Sequence, residues 1–186
     1  MKFGFLYWTP YTAEYPAAKQ FDEILELARS TRDAGFDIFA ANHTYLRSPL
    51  RAFQPFPLLA RLAAETGDMD LLTGIFLLAL HNPVDIAEQT ATLDIISNGR
   101  FIFGAGVGTQ NLPCEAFGID PKHRGARTGE SLQIIKRLWT EDDVTYEGQH
   151  FSLTNAKTAT KPIRKPHPPI WVGASARRAI RRAARL

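Results

Sequence analysis

Asn42-His43 is the pair best placed to do chemistry in this sequence. It follows at once on the apolar run of residues 36–41, so an amide and an imidazole stand where a buried strand would end. Histidine changes charge near neutral pH, which suits general acid–base work. A histidine that merely hydrogen-bonds its own loop fits the same position. Gly104-Ala105-Gly106-Val107-Gly108 also extends an apolar run and resembles a phosphate-cradling loop. Its spacing is not G-x-G-x-x-G, and the stretch after it is long and carries Pro113, so a dinucleotide fingerprint is not met. Small residues giving close packing, and room beside a cofactor, are the plainer reading. Gly173-Ala174-Ser175 is better formed. A glycine and a capping serine ahead of a helix offer free backbone N–H groups and the positive end of the helix dipole to a phosphate. An ordinary N-cap reads equally well.

Other chemistries are excluded by what is missing. The five histidines (43, 81, 123, 150, 167) are scattered, with no metal-ligand spacing among them. No G-x-S-x-G elbow is present for a serine hydrolase. The single cysteine, Cys114, has no internal partner, which points to a reducing, cytoplasmic setting.

The elements that must position these residues alternate in type. Residues 2–7 read as a first strand, 20–34 as an amphipathic helix closed by Gly35, and 36–41 as a second strand. Residues 55–66 read as a helix, 70–79 as a buried strand, 85–97 as a helix and 101–107 as a fourth strand. Then come a helix over 125–140, a hairpin over 144–153, a proline-rich loop over 154–169, a strand over 169–172 and a helix opened by Ser175. Each strand reads as buried on both faces, as a helix-covered parallel sheet requires. An open doubly wound sheet and a (β/α)8 barrel both begin this way. Either one places function just beyond the C-terminal ends of the strands, at residues 8–11, 42–45, 104–111 and 173–175.

At 186 residues the chain is one domain by length, here 1–186, and apolar residues make up 45%. The longest apolar stretch, residues 75–80, is far short of a membrane span. Net charge is +3, but the last ten residues hold five arginines and no acid, which leaves the rest at about −2. The basic balance therefore describes the last helix, with Ala176, Ile180, Ala183 and Ala184 as its apolar side. No basic patch interleaved with aromatics is present, so nucleic acid is not an expected partner.

With those segments in hand, the chain resembles the bacterial luciferase-like superfamily of flavin and deazaflavin oxidoreductases. The resemblance rests on Gly35-Phe36-Asp37 running to Asn42-His43. It continues in Leu72-Thr73-Gly74-Ile75, in His81-Asn82-Pro83-Val84, and from Ala91-Thr92-Leu93-Asp94 through Ser97-Asn98-Gly99-Arg100-Phe101 to Gly108. Arg124-Gly125-Ala126-Arg127, Tyr146-Glu147-Gly148, and Lys165-Pro166-His167-Pro168-Pro169 through Gly173 complete it. It implies an α/β fold of the (β/α)8 TIM-barrel type that binds FMN, or alternatively the 8-hydroxy-5-deazaflavin coenzyme, at its C-terminal mouth. It implies an oxidoreductase: a monooxygenase that takes reduced flavin from a separate reductase and oxygenates a small organic substrate, or else a deazaflavin-dependent hydride-transfer enzyme. By the same resemblance His43 is the acid–base residue, or hydrogen-bonds a flavin–oxygen intermediate, and Asn42 lies beside the isoalloxazine. Gly74 and Ile75 form a bulge, commonly with a non-prolyl cis peptide, that supports the central ring. Gly173, Ala174 and Ser175 hold the phosphate.

Two positions depart from the family pattern. Asn42 stands where deazaflavin members usually carry Asp. Val107 stands where many FMN oxygenases have a phosphate-pairing arginine, a loss that weakens FMN binding unless another cation replaces it. The resemblance ends after the fifth strand–helix unit, so an incomplete barrel is expected, with open edges that a second copy would cover in a homo-oligomer. A non-catalytic flavin-binding fragment is the alternative from another class.

Overall fold

A computed structural model describes residues 1–8 and 11–184. The first unit is β1 (Gly4–Tyr7) and α1 (Ala17–Asp33), the second β2 (Ile38–Ala41) and α2 (Pro55–Leu62). The third has a divided strand, β3 (Asp70–Thr73) and β4 (Phe76–Leu77), a 3-10 turn over Leu78–Leu80, and α3 (Pro83–Ile96). β5 (Phe101–Gly106) leads through the short α4 (Leu112–Ala116) to α5 (Arg124–Thr140). The hairpin β6 (Val144–Glu147) and β7 (Ser152–Ala156) then precedes β8 (Ile170–Gly173) and α6 (Arg177–Ala183).

Strand order decides between the two architectures left open above. β1, β2, β3, β5 and β8 are neighbours in chain order and all parallel, with β4 continuing the line of β3 along β5. A doubly wound sheet reverses direction at a switch point; this one never does. It is the ordering of a (β/α)8 barrel, in five strand–helix units.

Local chemistry sets the boundaries. Gly35, at φ +78°, ends α1 in the left-handed conformation that side chains resist. Asn82 caps α3 by accepting the Val84 N–H at 2.9 Å, with Pro83 as the first helical residue. The core lies between sheet and helices. Phe5, Phe39, Leu71 and Phe101 share one layer of the register and pack on Ile24, Leu59, Leu62, Leu132 and Trp139. Trp139 donates its indole N–H to Ala87 O at 3.0 Å, so its polar edge is satisfied inside that core.

Several expectations need correction. Only β2 and β5 are buried at every position; β1 and β8 alternate, and Leu6 and Trp171 are 50% and 48% exposed. Both strands form sheet edges, and those two side chains stand on the inner face, away from the helices. The run 70–79 is not one strand but is broken at residues 74–75. The second helix stops at Leu62, and α4 forms where a loop was expected. The last helix starts at Arg177, and Ile180, assigned to its apolar side, is 51% exposed. Among the described residues no helix is long and apolar enough to cross a membrane.

Candidate functional site

Because β2 is buried along its whole length, the residues that leave it emerge already desolvated. Asn42 and His43 are each 6% exposed. His43 Nδ1 accepts the Leu77 backbone N–H at 3.0 Å, from the edge of β4 that does not pair with β5. That bond occupies the Nδ1 lone pair and assigns the ring proton to Nε2. Nε2 is itself buried and has no protein partner, and the same is true of Asn42 Nδ2. Burial pushes the His43 pKa down to about 3; neighbouring His81 adds to this and Gln54 opposes it. At neutral pH His43 is therefore an uncharged imidazole, fixed by one hydrogen bond and by stacking on Phe76 at 4.3 Å, with one N–H left to give.

The break in the third strand is a β-bulge. Leu72 pairs with Ile102 and Phe76 with Ala105, so Thr73, Gly74 and Ile75 oppose only Phe103 and Gly104. The Gly74–Ile75 peptide is cis. Across the gap, Thr73 Oγ1 donates to Gly104 O at 2.8 Å and accepts from Gly104 N–H at 3.0 Å, which replaces the lost ladder bonds. A Cβ on Gly104 would lie 1.9 Å from Thr73 O, and one on Gly106 would lie 2.0 Å from Ile75 Cδ1. One on Gly173 would lie 3.0 Å from Ile75 Cγ2. The glycines of the 104–108 run thus serve close packing, not a phosphate cradle, and they let Ile75 lie flat across β5 and β8.

Above this platform opens a cleft of about 230 Å³, mostly apolar, lined by Trp8, His43, Ile75, Leu77 and Val107, with Arg47 at its side. The volume is below the 300–1,000 Å³ typical of pockets that enclose a whole ligand. It suits one flat ring system lying against a wall.

His43 and Ile75 line the cleft, and Gly173 lies beneath Ile75. Gly74 turns toward Leu6 and Ala40, on the inner face of the sheet. Ala174 and Ser175 are exposed and lie outside the cleft. Ser175 precedes the cap position, because Ala176 O accepts the first helical bond, from Ile180 N at 3.0 Å. Of the aromatic residues, Trp8 lines the cleft, whereas Tyr11 is turned to Glu23 and Tyr45 packs between His43 and Phe117. His81 is the residue the sequence did not single out. Its ring lies 5.5 Å from that of His43, and its Nε2 is 3.4 Å from Tyr45 Oη. It stands just beyond the C-terminal end of the third strand, as Asn42 and His43 do beyond the second, and that position was the available signal.

The chain matches the luciferase-like monooxygenase family over residues 1–186. It is 29% identical over 177 residues to the oxygenase component of a flavin-dependent trigonelline monooxygenase from Acinetobacter baylyi, covering 94% of this chain and 49% of the relative. It is 31% identical over 178 residues to an F420-dependent glucose-6-phosphate dehydrogenase from Nakamurella multipartita, covering 91% and 52%. Among solved structures, the monooxygenase RslO1 of Streptomyces bottropensis superposes with a TM-score of 0.85 at 32% identity, over 92% of this chain and 53% of that one. The chain spans about half the length of the curated relatives it matches. Sequential parallel strands, a bulge at the third and a buried histidine at the exit of the second agree with that whole-chain match, and the protein belongs to the luciferase-like monooxygenase family.

Proposed function

We propose that this chain forms the flavin-facing part of a flavin-dependent oxidoreductase of the monooxygenase type, which oxygenates a small organic substrate with reduced FMN. The observation that carries the reading is the buried, unpartnered Nε2–H of His43 at the mouth of the barrel, above a flat apolar platform. A planar heteroaromatic ring with acceptors on its edge fits there. Its face would rest on Gly74 and Ile75, its edge would meet the spare donors of Asn42 and His43, and the backbone N–H groups of Gly173, Ala174 and Ser175 would take the phosphate. Bound reduced FMN supplies the two electrons for oxygen activation.

The chain's own part is to orient and to donate. His43 is a poor base, since Nδ1 is occupied and burial opposes the imidazolium. It is a good donor, able to hold negative charge that develops on an oxygen within reach of Nε2. Phe76 and the Leu77 N–H fix the plane and tautomer in which it does so. This reading requires a separate flavin reductase as partner. The half-exposed Leu6 and Trp171 support self-association, and the lone buried Cys114 supports a reducing, cytoplasmic setting. A second reading, deazaflavin-dependent hydride transfer, is favoured by Val107 in the cleft wall, where a phosphate-pairing arginine would favour FMN.

Fluorescence titration of the 186-residue protein with FMN and with the deazaflavin coenzyme tests both. Saturable FMN binding is expected, and binding of neither cofactor overturns the proposal. Oxygen consumption then separates the two chemistries. Replacing His43 by Ala should leave flavin affinity within a few-fold and lower turnover by about 10²-fold or more. Unchanged turnover removes His43 from the mechanism.

A further inference from the structure

Arg47 is the unusual cation of this molecule. Every other described arginine ahead of α6 has an acceptor for its side chain. Arg29 and Arg61 share Glu65, Arg32 holds Asp33, Arg137 holds Glu141 and Arg124 holds Asn111. Arg51, Arg100, Arg127 and Arg164 donate to main-chain carbonyls. Among the described residues no hydrogen bond or ion pair holds Arg47, although it is half buried. It stands where two concavities meet, the inner cleft with His43 and Trp8 and an outer groove with Leu46, Pro49 and Leu112.

The surroundings are one-sided in charge. No Asp or Glu lines either concavity. The second polar group left open in the cleft, His43 Nε2, belongs to a side chain more than nine-tenths buried and is also a donor. A half-desolvated guanidinium without an acceptor is costly to keep, and its planar fork matches a carboxylate in bidentate fashion. The rest of the wall is apolar: Trp8, Leu77, Leu80 and Pro113.

We propose that Arg47 makes the cleft selective for small organic carboxylates, the carboxylate seated on the guanidinium and an apolar body lying against Trp8, Leu77 and Pro113. The proposal deepens the oxidoreductase reading, on which it rests, by naming the substrate class. A flavin phosphate is the other oxyanion that could reach such a cation. Residues 173–175 line neither concavity, which separates the expected phosphate loop from Arg47.

Calorimetric titration with benzoate and benzamide, and separately with FMN and riboflavin, distinguishes these sources. The unmodified protein should bind benzoate at least tenfold more tightly than benzamide. Arg47→Met should erase that preference, Arg47→Lys should keep part of it, and neither should alter FMN binding relative to riboflavin. Equal binding of benzoate and benzamide, or of neither, overturns the proposal on the unmodified protein alone. A preference that survives Arg47→Met overturns it too. Weakened FMN binding with riboflavin unaffected assigns the guanidinium to the flavin phosphate instead, which also overturns it. If FMN fails to bind while benzoate selectivity persists, the flavin reading falls and the anion site stands, so the two failures are told apart.

Discussion

At the N-terminal edge of the sheet, Arg100 lies half buried just ahead of β5 and gives its guanidinium to three acceptors. These are Thr66 Oγ1 at 3.1 Å, Met69 O at 2.7 Å and Ala63 O at 2.9 Å. At the C-terminal edge, Arg47 is half buried as well and gives to none. The neighbours of each follow suit. Near Arg100, Asp37 accepts the Phe3 N–H at 2.6 Å and Asp70 pairs with Lys2 at 3.1 Å. Asp94 Oδ2 takes the Arg164 N–H at 3.0 Å; its other oxygen is unpartnered, and burial raises the carboxyl's pKa. Near Arg47, Asn42 and His43 keep spare donors. One end of the sheet spends its polar groups on holding helices to strands, and the other keeps them free for something that is not protein. Barrel folds divide stability and function between their two faces in this way.

The largest expected effect lies at the closed end. Arg100→Met removes three hydrogen bonds from a charged donor and leaves two carbonyls and a hydroxyl short of a partner. Bonds of this kind contribute about 1.5–3 kcal/mol each and are not additive, so a loss of about 3 kcal/mol is expected. That corresponds to a melting point lower by roughly 6–12 °C for a chain of this size. Urea denaturation measures it, and an unchanged midpoint would remove Arg100 from the account of stability. Benzoate selectivity should survive in the folded variant, because Arg100 is at the far end of the sheet.

This division was only partly legible in the sequence. Apolar runs, Gly35 and the Asn82-Pro83 pair gave the elements, since each is a local signal. The bulge was not legible from the residues themselves. It depends on β5 approaching so closely that a Cβ at Gly104 would strike Thr73 O, a contact between residues 31 apart. Only resemblance to a family pointed to Gly74 and Ile75. His81 was missed because the third strand was read as continuous to residue 79, which hid where its C-terminal end lies. The exposed positions of β1 and β8 were missed because an apolar run looks the same at an edge as in the middle. Arg47 gave no signal at all: a lone arginine in a loop looks solvated until the partners of every other arginine are known.

The next effect in size comes from His43 and tests the open end by pH. Its pKa is about 3 in the folded protein, against an ordinary value of 6.5. Between those values the unfolded chain binds the proton that the folded one refuses. Stability is therefore fully present above pH 6.5 and declines as the pH falls toward 3. From pH 7 to pH 5 the decline attributable to His43 is up to about 2 kcal/mol, at 1.36 kcal/mol per pKa unit. His81, also lowered by burial, adds in the same direction. Denaturation at the two pH values should show this loss in the unmodified protein and a shallower one in His43→Gln. Equal slopes would mean that His43 is solvated, which contradicts its role as a held donor. The same shift predicts that no limb of a turnover–pH profile between 5 and 8 belongs to this imidazole.

The smallest expected effect is the sharpest test of the contrast. Arg47→Met should change stability by no more than about 0.5 kcal/mol, the range of substitutions that break no specific contact, or should raise it. The reason is desolvation. A guanidinium half out of water with no acceptor costs free energy to maintain, and a thioether of similar length relieves that cost while still covering Leu46 and Pro49. Urea midpoints of Arg100→Met and Arg47→Met, measured side by side, give the comparison directly. If both lose about 3 kcal/mol, Arg47 is a structural cation like the rest, and the two ends of the sheet do not differ. If Arg47→Met is neutral in stability and loses benzoate selectivity, the open end keeps its charge at a cost to the fold. That pattern is expected where a protein trades stability for a binding site.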